Sequence, residues 1–136
     1  MTDCNFLEAY KEADCDFILA KEEMERLYEA GETPSRTFIG KICLEGDLKA
    51  IRFLIYHRHH FDKMAIFVSA LEGHPNIMQE LFAHQSFPDL NVEQLVKSLY
   101  NEGLIEMIDV LVLLQVVDQD KVDTIVEAIE DEVESD

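Results

Sequence analysis

The sequence predicts an all-α protein in which stacked helical hairpins lie between an N-terminal helical cap and a C-terminal capping helix. Two observations carry this. The turn Leu44-Glu45-Gly46 recurs as Leu71-Glu72-Gly73 and, with a changed first residue, as Asn101-Glu102-Gly103. Past each glycine the apolar residues fall at the same offsets: Ala50, Ile51, Leu54 and Ile55, then Ile77, Met78, Leu81 and Phe82, then Met107, Ile108, Leu111 and Val112. Adjacent pairs that recur four residues later line one face of an α-helix. Glycine adopts the left-handed backbone that lets a finished helix reverse into the next. With 136 residues, 48% of them hydrophobic, the chain is expected to form a single domain over residues 1–136, with a core that needs neither metal nor disulfide.

Residues 1–34 read as the N-terminal cap. A short helix over residues 3–12 presents Phe6, Leu7 and Tyr10 on one side, and Asp14 or Asp16 caps a second helix carrying Phe17, Ala20, Met24, Leu27 and Tyr28. Gly31 ends that helix and Pro34 forbids its continuation. Three helix-turn-helix repeats fill residues 35–115. In the first, Ser35 caps a helix presenting Phe38, Ile39, Ile42 and Cys43, and Gly40 inside that helix suggests a closely packed neighbour. Asp47 caps the helix after Gly46, which ends near Tyr56, and His57-Arg58-His59-His60 makes a tight connection. The second hairpin draws its core from Phe67, Ala70 and Leu71, and Pro75 suits the first position of its second helix. Asn91 with Gln94 resembles a capping box and opens a helix with Leu95, Val96 and Leu99 inward. The helix after Gly103 is so apolar that cover on several sides is expected. Residues 116–136 read as an acidic C-terminal helix, capped by Asp118 or Asp120, with Val122, Ile125, Val126, Ile129 and Val133 in a stripe and Glu134-Ser135-Asp136 fraying.

Net charge is -18, from 11 basic and 29 acidic residues, and it is unevenly spread. Residues 1–34 hold 10 acids and 3 bases, residues 115–136 hold 9 acids and 1 base, and the repeats between are nearly balanced. Such a chain is poorly equipped for direct contact with nucleic-acid phosphates or anionic lipid, whereas a partner with a basic surface is electrostatically favoured. The plainer alternative is that the acids only maintain solubility. No apolar run is long enough to span a bilayer, and the N-terminus does not read as a secretory signal. Cys4, Cys15 and Cys43 form neither a disulfide framework nor a zinc knuckle, so a reducing, cytoplasmic setting is expected.

The segment from Ser35-Arg36-Thr37 through Glu45-Gly46-Asp47-Leu48-Lys49-Ala50-Ile51-Arg52-Phe53-Leu54-Ile55 resembles an ankyrin repeat, with weaker copies beginning at Gly73-His74 and Gly103-Leu104. The intervals of 27 and 30 residues between glycines fall short of the family's length of about 33. Thr37 is followed by Phe38, and Gly40 stands where the family has His. The resemblance therefore implies a degenerate array with short repeats and reduced or absent fingers. It further implies a non-enzymatic protein-interaction module, an adaptor or inhibitor that binds a host or cellular protein. Degenerate arrays of this kind occur among viral and bacterial effector-type proteins, which would place the chain in host cytosol.

Catalytic, metal and cofactor sites are not expected. His57, His59 and His60 invite a metal reading, but adjacent histidines point apart and Asp62 is the one nearby carboxylate, so a surface turn is preferred. Cys43 occupies an apolar helix position with no histidine paired to it by any motif, and there is no phosphate-binding glycine loop. Apolar residues in the connectors, Tyr56, Phe61, Phe87 and Leu90, suit interface anchors, although Phe61 and Phe87 would equally serve as staples beneath their hairpins. The interface expected is the turn edge carrying Tyr56, Arg58, His59 and Phe87. The competing function is an acidic nucleic-acid mimic that inhibits a DNA- or RNA-binding enzyme.

Overall fold

The computed structural model describes residues 5–134, with side chains to residue 132, and among them are nine α-helices and no strand. Cys4, the side chain of Val133, and Ser135 and Asp136 lie outside the described residues. The chain is thus all-α, and its helices fall into two compact units that divide between His59 and His60.

The first unit holds α1 (Asn5–Glu12), α2 (Phe17–Glu29), α3 (Arg36–Glu45) and α4 (Leu48–Tyr56). Helix α1 packs against α2 and α3, and α3 packs against α4. Three of these helices start at a side chain that accepts an otherwise unpaired backbone N–H: Asp16 from Ile18 at 2.9 Å, Ser35 from Phe38 at 3.2 Å and Asp47 from Ala50 at 3.2 Å. The core buries the rings of Phe6, Tyr10, Phe17, Phe38 and Phe53 beside Met24, Ile42, Ile51 and Leu54. Phe38 is fully buried with its ring 5.8 Å from Phe6 and 5.7 Å from Tyr10. The Tyr10 hydroxyl donates at 2.8 Å to the Asp47 carboxylate, whose other oxygen caps α4. Burial, and then this bond to a carboxylate, push the Tyr10 phenol well above its ordinary pKa.

The second unit holds α5 (Lys63–Leu71), α6 (Pro75–His84), α7 (Val92–Asn101), α8 (Ile105–Leu113) and α9 (Gln119–Glu134). Helix α5 packs on α6, and α7 packs on α5, α8 and α9. The core here is mainly aliphatic, with Ile66, Ile77, Met78, Leu81, Leu95, Val96, Leu99 and Leu111 buried. Phe61 is also buried, and the side-chain amide of Gln85 clamps its backbone by accepting from its N–H and donating to its carbonyl, both at 2.8 Å. Asn91 accepts from the Gln94 N–H at 3.0 Å, Asp118 accepts from the Lys121 N–H at 2.7 Å, and Pro75 is the first residue of α6.

Gly46, Gly73 and Gly103 each lie between two helices, at φ of 72°, 75° and 75°, and the following helix starts two residues later in every case. The residue after each glycine donates back to the preceding helix: Asp47 to Ile42 at 3.0 Å, His74 to Ser69 at 2.9 Å and Leu104 to Leu99 at 2.8 Å. Helices α4 and α8 close in the same way without glycine. Arg58 and Gln115 take φ of 60° and 61°, and the next residues, His59 and Val116, donate to Leu54 and Leu111 at 3.0 Å.

Two expectations are corrected. A Cβ at Gly40 would meet nothing within 4 Å, so that glycine accommodates no close neighbour. Helix α8 buries Met107, Ile108 and Leu111 but leaves Ile105 47% and Leu113 80% exposed, so its apolar sequence is covered on one face rather than several.

Candidate functional site

In the first unit a groove of about 450 Å³ runs between α2 and α4. Its floor and end are aromatic: Phe17 and Phe53 are buried with ring centroids 5.1 Å apart, and the His57 ring closes against Phe53 at 4.7 Å. Its walls are charged, with Lys21 and Glu25 from α2 and Lys49 and Arg52 from α4. Tyr56 stands on the rim, 81% exposed.

Helical periodicity explains why these residues meet. On α4, Ala50, Ile51 and Leu54 face the core, which turns Lys49, Arg52, Phe53 and Tyr56 to the other side at spacings of i, i+3, i+4 and i+7. On α2, Phe17, Lys21 and Glu25 follow one another at single helical repeats, beside the buried Ala20, Met24 and Leu27. Lys21 and Glu25 lie 3.9 Å apart and largely offset each other. Lys49 has no carboxylate at ion-pair distance among the described residues.

Behind the groove, Tyr28 lies flat against His57, with centroids 4.1 Å apart and planes 9° from parallel. This stacking holds the imidazole half-buried against the protein. The Tyr28 hydroxyl is buried with no hydrogen-bond partner among the described residues, and that burial pushes its pKa up to about 12.

Tyr56, Arg58 and His59 are brought together at the end of α4. Arg58 is exposed in its left-handed conformation, and half-buried His59 donates its N–H to Leu54. Phe87 belongs to the second unit, where it is half-buried with its ring edge-on to Phe82 at 5.6 Å. Leu90, also half-buried, donates its N–H to the Phe87 carbonyl at 3.0 Å. Phe61 is a staple, buried under its own unit.

Sequence reasoning did not single out Lys49 and Arg52. The signal was present: α4 carries two bases and no acid, and the bases share a helical face with Tyr56. Chemically the groove offers rings and cations. Among the described residues no three histidine, cysteine or acidic side chains are placed to hold a metal ion, and no helix is long and apolar enough to cross a membrane.

The clefts of the second unit differ in kind. One, of about 540 Å³, is lined by Val92, Val112, Val116 and Val117 with Asp118 and Lys121 at its edge, and another carries Asp109, Asp123 and Glu127 and no base. Comparison with known protein families, curated proteins and solved structures finds no match to this chain.

Proposed function

We propose that the chain is a non-enzymatic, ankyrin-like helical-repeat module that acts as an adaptor or inhibitor by binding another protein through its first unit. The observation that carries this reading is Tyr56, a large ring held 81% exposed on the rim of an aromatic groove. Aromatic residues beside a preformed apolar recess are the usual anchors of protein interfaces. The repeated hinges at Gly46, Gly73 and Gly103 support the stacked-hairpin architecture in which such surfaces are common. The test replaces Tyr56 with a photo-crosslinking aromatic and compares it with the same replacement at exposed Ser86. In extract, the Tyr56 position should yield a discrete protein adduct that the Ser86 position does not. The same adducts from both positions, or none from either, would overturn the reading.

A second reading, mimicry of nucleic acid, is favoured by α9, where Asp120, Asp123, Glu127 and Asp131 are exposed at helical spacing with Lys121 as the single base. Inhibition of a nucleic-acid-binding enzyme by this route should collapse as salt rises, while a ring-anchored contact should weaken modestly.

A further inference from the structure

We infer that the groove between α8 and α9 takes a basic amphipathic segment of another protein, in which two Lys or Arg side chains flank an aliphatic one. This goes beyond the interaction reading above, which seats its partner on the first unit. The groove is apolar at its base and acidic along its rim. Helices α8 and α9 both pack on α7, and a recess of about 320 Å³ is walled by Ile105 and Ile108 of α8 and by Val122 and Val126 of α9. Ile108 and Val122 are buried and Val126 is half-buried, while Ile105 is left 47% exposed.

Helical periodicity sets the rim as well. Asp109 follows Ile105 by one turn on α8, and on α9 Asp123 and Glu127 each come one residue after a groove valine, so a row of carboxylates runs beside the apolar row. All three acids are exposed. Among the described residues Asp109 and Glu127 have no ion pair or hydrogen bond, and Asp123 accepts only from the Gln119 side-chain amide, at 2.9 Å. No base lines the recess, because Lys121, the one base of residues 105–132 against nine acids, lines the valine cleft instead.

This chemistry commits the occupant. Among the described residues no three acidic, histidine or cysteine side chains are placed to hold a metal ion, so the rim suits separate monovalent heads rather than one divalent cation. Asp123 and Glu127 stand about 6 Å apart along the helix axis, the spacing of two bases one turn apart on a facing segment. Lysine and arginine can lay their aliphatic stems on Ile105 and Val126 while their heads meet the carboxylates, and a neighbouring aliphatic residue covers the rest of the recess. Net charge of -18 draws any cationic segment in from a distance, and the apolar base selects among those that arrive.

The test pans a random dodecapeptide phage library at physiological salt against the immobilised full chain and, in parallel, against the charge-reversed double variant Asp123→Lys/Glu127→Lys. Far-UV circular dichroism confirms that both are folded. Wild type should enrich peptides that combine two or more Lys or Arg with Leu, Ile or Val, and the variant should not. In fluorescence anisotropy the consensus peptide should bind the double variant at least about tenfold more weakly and Ile105→Ser about threefold more weakly, with Tyr56→Ala unchanged. A purely basic consensus indifferent to Ile105→Ser would overturn the groove, since diffuse charge would then explain the binding. An acidic or uncharged consensus, or no enrichment over bare resin, would overturn it too. Binding lost in Tyr56→Ala and kept in the double variant would move the peptide to the first unit, overturning this assignment while leaving the interaction reading standing.

Discussion

In the first unit the hinge at Gly46 joins helices whose core mixes the rings of Phe6, Tyr10, Phe38 and Phe53 with aliphatic side chains, whereas the hinges at Gly73 and Gly103 in the second join helices filled mostly by Ile, Leu, Met and Val. The hinge geometry is nearly the same in all three, so it is set by the backbone and tolerates either filling. What changes is the surface. Large rings pack against other rings, and that packing brings Tyr28, Phe53 and His57 together beside the groove. Aliphatic packing in the second unit produces clefts lined by valine and acids instead.

The largest expected effect comes from removing the ring at the centre of the first core. Phe38→Ala should lower stability by about 4 kcal/mol in urea unfolding, against about 3 kcal/mol for Leu99→Ala in the aliphatic core. A smaller loss at Phe38 than at Leu99 would break the contrast. Next comes the side-chain tie between Tyr10 and Asp47 in the first core. Asp47→Ala removes a helix cap and strands the buried Tyr10 hydroxyl, which should cost about 2–3 kcal/mol, while Tyr10→Phe should cost about 1 kcal/mol. Because the two share one bond, the double variant should fall short of their sum in a thermodynamic cycle.

The hinges come next. Gly103→Ala forces a Cβ into φ of 75° and should cost about 1–2 kcal/mol. A loss within error would show that the left-handed backbone there does not need glycine. Tyr28→Phe removes a buried hydroxyl with no partner among the described residues and should be neutral or stabilising by about 1 kcal/mol. It should also change the alkaline limb. Tyr28 titrates at about 12 when folded against 10.0 unfolded, so the unfolded chain releases its proton first. That contribution is fully present below pH 10.0 and is lost as pH rises toward 12, and Tyr10, also raised, acts in the same sense. Denaturation midpoints across this range should fall less steeply for Tyr28→Phe. The smallest effect is expected at Gln115, where glycine would relieve a φ of 61° and raise stability by about 0.5 kcal/mol. A loss there would mean that the Gln115 side chain stabilises the turn in its own right.

Much of this architecture was legible in the chain. At each repeat the residue eight past the glycine, Leu54, Leu81 or Leu111, is fully buried, and the one after it, Ile55, Phe82 or Val112, is half-buried. Asp47, Ser35 and Asn91 cap the helices their positions announce, because a short oxygen-bearing side chain before an apolar run has few other uses. Arg58 and Gln115 were not legible as left-handed residues, since neither side chain favours that conformation and each is held there by the bond from the following N–H. Gly40 misled for the opposite reason: a glycine within a helix often marks close packing, and here it faces open space. Of the candidate site, Tyr56 could be read from its place at a helix end. The groove could not, because Phe17 and Phe53 lie far apart in sequence and meet only through the fold of the first unit.

The Asp47 carboxylate fastens two helices at once, with one oxygen on the first turn of α4 and the other on a phenol 37 residues earlier in α1. The basic wall of the groove thus takes its footing from the opening segment of the chain. Trimming that segment, or displacing it with a competing ligand, would loosen the wall from its far end without touching a single residue that lines the recess.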